Sequence, residues 1–274
     1  MAKVISTNQK SKLAHGIDVA IEAALQAGKL LRDNYLVKNR FAVKDFSSDF
    51  VSEIDTQAED LIIDIIKKSF QEHGIFGEES GKAEGNEHQW IIDPIDGTTH
   101  YLKQIPLLTV NIALQKDGQT LIGVVYNPMT EDLFYASLGD GAYWNQKRIS
   151  VSNQGKLSES MLYVEFPEKK YKDQVANFEE FYQERINELT ELLEKSAGVE
   201  HHRVGAWGIC QVAKGSFDAY VDLSGSTKVY DAAAALLILE EAGGLVVDLE
   251  VRKEDSLRVL ASNGKVKIPF LKAI

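Results

Sequence analysis

Apolar residues recur at helical spacing from Ile17 to Tyr35, where Ile17, Ala20, Ile21, Ala24, Leu25, Leu30 and Leu31 share a face. The spacing predicts a helix there, preceded by a polar stretch over 1–15 that reads as a loose tail. A second helix is predicted over Ala58–Phe70, with Leu61, Ile62, Ile65 and Ile66 as its stripe and Asp55 and Thr56 as candidate N-caps. Between residues 107 and 152 the pattern turns to alternation. Thr109–Gln115, Leu121–Tyr126 and Leu133–Ala136 flank Asp117-Gly118 and Asn127-Pro128, the signature of antiparallel hairpins. Met161–Phe166, Phe217–Leu223, Leu245–Leu249 and Arg258–Ser262 read as further strands. Helices are expected over Tyr171–Lys195, within Arg203–Lys214, and over Asp231–Ala242, which Gly243-Gly244 stops. This order predicts a layered α/β chain. An α+β half over 16–156 with a mainly antiparallel sheet precedes an α/β half over 157–274.

Composition narrows the function classes. Hydrophobic residues make up 44% and charged residues 26% of 274 positions, ordinary values for a globular protein. No apolar run approaches the roughly 20 residues that cross a bilayer, so no membrane contact is expected. The polar N-terminal stretch lacks an apolar signal-peptide core, and the single Cys210 excludes an internal disulfide; both fit a cytoplasmic protein. Cys210 lies among Trp207, Ile209, Val212 and Ala213 at helical spacing, the setting of a packed core thiol. The net charge of −11 argues against nucleic-acid binding, which needs basic surface to replace counterions. An anionic substrate would need a local attractor, such as a bound cation.

Carboxylates at chain turns supply candidates for holding one. Trp90-Ile91-Ile92 reads as a buried strand that delivers Asp93 and Asp96. Pro94 between them is expected to end the strand and let both side chains turn to one point. Carboxylates so placed repel unless a cation separates them, although Asp-Pro and Asp-Gly are also ordinary turn dipeptides. Gly97 permits close backbone approach, and Thr98 offers a hydroxyl and an N–H at a predicted helix start, a seat for an anion. Glu78 follows the short strand Ile75–Phe76 and Gly77, as a site residue or a solvated turn residue. Asp55 and Asp231 each open a helix, as plain caps or as site residues.

Together, Gly77-Glu78-Glu79-Ser80, Asp93-Pro94-Ile95-Asp96-Gly97-Thr98 and Tyr230-Asp231-Ala232-Ala233 with Glu241-Ala242-Gly243-Gly244 resemble the inositol monophosphatase family in order and separation. The upstream Asp49-Phe50-Val51-Ser52-Glu53-Ile54-Asp55 box agrees, and the resemblance covers nearly the whole chain. It implies an α-β-α-β-α five-layer sandwich of the sugar phosphatase type and hydrolysis of a phosphate monoester without a covalent enzyme intermediate. It assigns Glu78, Asp93, the Ile95 carbonyl, Asp96 and Asp231 as Mg²⁺ ligands, for two or three ions per site. An all-oxygen donor set suits that ion. The resemblance gives Glu78, and Thr98 paired with Asp55, the activation of water, and gives the N–H groups of Gly97 and Thr98 the phosphate. Lys44 resembles a family lysine near the site, a surface strand lysine being the other reading. Homodimerisation and inhibition by lithium are implied in the same way.

For the alcohol half of the substrate, the resemblance points to Arg203, Gly205, Ala206, Trp207 and Asp222, with Asp96 and Asp231 shared between metal and substrate. Trp207 stands where a small residue is common, and either lines the pocket, stacking on a sugar face, or packs in the core. His201 and His202 are candidates for the entrance, of which strand alternation would admit one. The stretch Asp222–Asp231 is longer than in typical family members and similar to the archaeal-type enzymes that act on both fructose 1,6-bisphosphate and inositol phosphate. Where those carry arginines, this chain has Ser224 and Lys228, and a lysine binds phosphate as a point charge without the guanidinium fork. The expected activity is Mg²⁺-dependent hydrolysis of inositol monophosphate, fructose 1,6-bisphosphate or both, within carbohydrate metabolism. A 3′-phosphoadenosine nucleotide phosphatase is the sibling reading, and a binding protein of transcription complexes the reading from another class.

Overall fold

The computed structural model of the chain describes residues 7–35, 53–167, 177–250 and 257–271, together with 169 and 172. Helix α1 (Thr7–Asn34) begins well ahead of Ile17, within the stretch expected to be a loose tail. Leu13 extends its apolar stripe into the core, which gives the earlier turns something to pack against. Helix α2 (Glu53–Ser69) buries Ile54, Ala58, Ile62 and Ile66 at intervals of four. It starts ahead of the predicted Ala58, so Asp55 and Thr56 lie inside its first turn, and Glu53 and Asp55 there complement the helix dipole.

The first sheet comprises β1 (Gly74–Gly77), β2 (Gly81–Ala83), β3 (His88–Asp96), β4 (Thr109–Lys116), β5 (Gln119–Asn127), β6 (Asp132–Ser137), β7 (Gly141–Trp144) and β8 (Lys147–Arg148). Their order is β2-β1-β3-β4-β5-β6-β7-β8, antiparallel except for the parallel pair β1–β3. The short helix α3 (Thr98–Leu102) follows β3. The second sheet comprises β9 (Met161–Glu165), β10 (Gly198–Glu200), β11 (Ala219–Asp222), β12 (Leu245–Asp248) and β13 (Val259–Ser262), in the order β10-β9-β11-β13-β12. Here β9 runs parallel to both neighbours, and β13 antiparallel to both of its own.

Among the described residues three further α-helices follow: α4 (Phe178–Lys195), α5 (Gly205–Ala213) and α6 (Val229–Glu241). The N-terminal part of the helix predicted over Tyr171–Lys195 falls mostly outside the described residues, and α4 opens after Asn177. Five layers result. Helices α1 and α2 cover one face of the first sheet, α5 and α6 lie between the sheets, and α4 packs outside the second. Strands β4 and β5 are therefore buried on both faces. On β4, Val110, Ile112 and Leu114 face α1 and α2, while the smaller Ala113 meets the cluster around α6. The run Ala232–Ala235 lets α6 lie close to that sheet.

Pro94 does not end β3, which runs on to Asp96. The register against β4 shifts there: Asp93 pairs with Asn111 and Asp96 with Thr109, so three steps on one strand match two on the other. Pro94 falls within that bulge, where a missing N–H costs no ladder bond.

Candidate active site

One cavity gathers most of the carboxylates singled out in the sequence. Glu78, Asp93, Ile95, Asp96, Gly97, Thr98 and Asp231 line one side, and Glu165, Arg203, Gly205, Tyr220, Ser224, Ser226 and Thr227 the other. Glu78 stands where β1 ends, its N–H donating to the Ile92 carbonyl (3.1 Å). The turn that carries it is held from α2. Buried Glu59 accepts the N–H groups of Glu79 (3.0 Å) and Ser80 (2.8 Å). That carboxylate explains Gly77, since a Cβ there would lie 2.4 Å from Glu59 Oε1.

The bulge in β3 sets the central ligand candidates. Asp93 Oδ1 accepts the Ile95 N–H (3.0 Å), and Asp93 Oδ2 accepts from Asn111 Nδ2 (3.1 Å). Asp96 Oδ2 accepts the Ala206 N–H (3.0 Å), which ties the end of β3 to the first turn of α5. Gly97 has φ 100°, a left-handed conformation that any side chain would strain, and α3 starts from it. The Thr98 hydroxyl donates to the Ile95 carbonyl (3.0 Å). Asp231 lies in the first turn of α6, where its Oδ2 accepts the backbone N–H of the N-cap residue Lys228 (2.7 Å).

Electrostatics mark this cavity. Burial, then the charge of Asp231, pushes Glu78 up to about 9. Burial, then Glu78, Asp96 and Asp231, raises Asp93 well above the usual carboxylate range, and burial and then Asp231 do the same to Asp96. Such mutual elevation is the mark of carboxylates that a cation would relieve. The side chains do not turn to a single point, however. Among the described residues no three His, Cys, Asp or Glu side chains gather tightly enough to coordinate an ion. Glu78 and Asp93 lie within hydrogen-bonding reach of each other, and both Asp93 oxygens are also engaged by N–H donors. The all-oxygen donor set fits Mg²⁺ by its chemistry.

The other predicted residues divide. Asp55 is buried in α2 outside the cavity lining, close enough for its charge to raise Glu78. Ala206 contributes its N–H to Asp96. Half-buried Trp207 packs edge-on against Tyr163, His202 and Phe217 at centroid distances of 6.0, 5.7 and 6.0 Å, and it does not line the cavity. Asp222 is buried at the end of β11, where its Oδ1 accepts the Ser224 N–H (2.8 Å) and hydroxyl (2.7 Å). Lys228 occupies the N-cap position of α6, outside the lining, and Ser224 lines the cavity. Neither of the two histidines lines it: His201 donates through Nδ1 to the Val164 carbonyl (2.8 Å) and stacks on Phe166, and His202 meets Trp207. Lys44 and residues 49–52 lie outside the described residues.

Glu59, His100, Asn111, Glu165 and Tyr220 are among the residues that escaped the sequence reading. Only Asn111 carried a signal, a lone amide within the apolar run Val110-Asn111-Ile112. Cys210 is buried, as its apolar setting predicted.

The description "Inositol monophosphatase family" matches residues 12–271. A protein named Nus factor SuhB from Pasteurella multocida is 36% identical over 235 residues, 85% of this chain and 84% of its own. An inositol-1-monophosphatase from Mesorhizobium japonicum is 34% identical over 263 residues, 94% of this chain and 95% of its own. The solved inositol monophosphatase of Anabaena superposes with a TM-score of 0.77 at 32% identity, covering 93% of this chain and 92% of the other.

Proposed function

Because the chain belongs to the inositol monophosphatase family, we propose that it is a Mg²⁺-dependent hydrolase of small phosphate monoesters, acting on inositol monophosphate, fructose 1,6-bisphosphate or both. The observation that carries the reading is the shared cavity of Glu78, Asp93, Asp96 and Asp231, in which burial and neighbouring carboxylates raise the proton affinity of Glu78, Asp93 and Asp96. Those four and the Ile95 carbonyl would hold the metal. When bound, Mg²⁺ supplies charge neutralisation for the phosphate and for the attacking and leaving oxygens.

The chain's own groups account for the rest. Ionised Glu78 accepts a proton from water, and the Thr98 hydroxyl, with Asp55 behind it, orients that water for in-line attack. Backbone N–H groups at Gly97 and Thr98 hold the phosphate oxygens without side-chain reorganisation. The wall of Arg203, Gly205 and the Ser224–Thr227 turn receives the alcohol. A homodimer in the cytoplasm completes the proposal. Among the described residues no helix is long and apolar enough to cross a membrane.

The relatives named Nus factor keep a second reading in play, a binding protein of transcription complexes. The carboxylate set favours catalysis. Phosphate release with Mg²⁺ separates the readings, measured on inositol 1-phosphate, fructose 1,6-bisphosphate and 3′-phosphoadenosine 5′-phosphate. Asp93→Asn is expected to lose at least about 100-fold in kcat/KM, the order seen when one group that stabilises developing charge is removed. Release from none of the three esters would sink the hydrolase reading and favour the binding protein.

A further inference from the structure

β11 ends beside the cavity and alternates its side chains. Ala219 and Val221 pack into the cluster beneath α4, which leaves Tyr220 and Asp222 on the opposite face. Tyr220 is 0% exposed and lines the cavity that holds the carboxylates. Its ring stacks on Tyr163, with centroids 5.7 Å and planes 14° apart.

The two phenols meet different fates. The Tyr163 hydroxyl donates to the Val204 carbonyl (3.1 Å) and accepts the Val204 N–H (3.0 Å). Among the described residues the Tyr220 hydroxyl is buried without a hydrogen-bond partner, and the nearby Thr227 hydroxyl does not complete a bond to it with sound geometry. A Cβ on Gly205 would lie 3.3 Å from the Tyr220 oxygen. The phenol therefore sits against the first turn of α5, next to Ala206, which holds Asp96. Two residues along the same strand face, Asp222 Oδ2 is also buried, with the Thr227 hydroxyl near it. Leaving a buried hydroxyl unpaired is unfavourable, and a cavity wall is where a ligand can complete it.

We propose that the Tyr220 hydroxyl is a specificity-determining group that hydrogen-bonds a hydroxyl on the alcohol half of the substrate. The inference rests on the phosphatase reading above and deepens it: the site is committed to polyol and sugar phosphates. A phenol both donates and accepts, so one substrate hydroxyl can lie between Tyr220 and an acceptor. An ester without a hydroxyl at that place leaves the phenol unpaired and forgoes the gain.

The test is Tyr220→Phe, which keeps the ring and its stacking. For inositol 1-phosphate and fructose 1,6-bisphosphate, kcat/KM is expected to fall about tenfold, the loss of one hydrogen bond. For p-nitrophenyl phosphate, which has no alcohol hydroxyl, the fall is smaller. The melting temperature holds or rises, because an unpaired buried hydroxyl has been removed. Equal losses on both classes of ester, no loss on the polyol esters, or a lower melting temperature would each overturn the proposal. If the wild-type protein hydrolyses no ester, the phosphatase reading fails separately, and calorimetric titration with inositol 1-phosphate decides the role of Tyr220. Weaker binding by the variant then supports it, and equal or absent binding overturns it.

Discussion

Trp207 shows what a single residue can hide. The sequence left it between pocket and core, since an aromatic ring after an Arg-x-Gly segment serves either. Its three edge-on ring neighbours favour packing. Trp207→Ala should therefore cost about 2–3 kcal/mol of stability, a little under the range for fully buried rings. KM for the preferred ester should stay unchanged, and urea denaturation beside steady-state kinetics checks both. A raised KM with unaltered stability would return the ring to the substrate. The carboxylates were legible for the opposite reason. Glu78, Asp96 and Asp231 sit at strand ends and a helix start, and Asp93 at a strand bulge, places a sequence marks with Gly, Pro and small residues. Tyr220 was legible only as a strand residue, because an unpaired hydroxyl is a property of its surroundings.

Among the elements, the long ones were readable and the short ones were not. Helices α1, α2 and α6 and strands β4 and β5 carry enough apolar repeats for the period to stand out. The strands β2, β8 and β10 are two or three residues long without a buried residue, so no alternation announces them. Pro94 misled because a bulge and a strand end look alike in sequence; the antiparallel partner β4 supplies the difference. The clamp from α2 to the Glu78 turn was hidden too, since Glu59 between Ala58 and Asp60 reads as helix surface. Its two accepted N–H bonds give a prediction at this scale. Glu59→Gln keeps the shape but turns an amide group toward one of two donors, costing about 1–3 kcal/mol. Phosphate release should fall with it, because the turn that orients Glu78 loosens. An unchanged urea midpoint would mean that water replaces the lost acceptor.

At the scale of the whole molecule, the buried charges make stability depend on pH. Glu78 titrates near 9 when folded against 4.5 for a free glutamate, and Asp93 and Asp96 are raised as well. Between those values the folded protein keeps protons that the unfolded chain has released, so each step up in pH favours unfolding. His73 acts in the other direction. Burial, then the charges of His88 and Lys67, lowers it from 6.5 to about 4, while its Nδ1 accepts from Trp90 (3.1 Å). Its contribution is complete above pH 6.5 and is lost as pH falls toward 4. Above pH 6.5 only the raised carboxylates still separate the two states among these groups. In EDTA, the melting temperature should therefore fall from pH 6.5 towards 9, and Glu78→Gln should flatten that fall. Added MgCl₂ should oppose it, because a cation binds the deprotonated set and stabilises only the folded chain. A wild-type profile that stays flat in EDTA, or an identical fall in Glu78→Gln, would show that these carboxylates do not share the cavity as charged neighbours. The proposed metal centre would then lose its electrostatic basis.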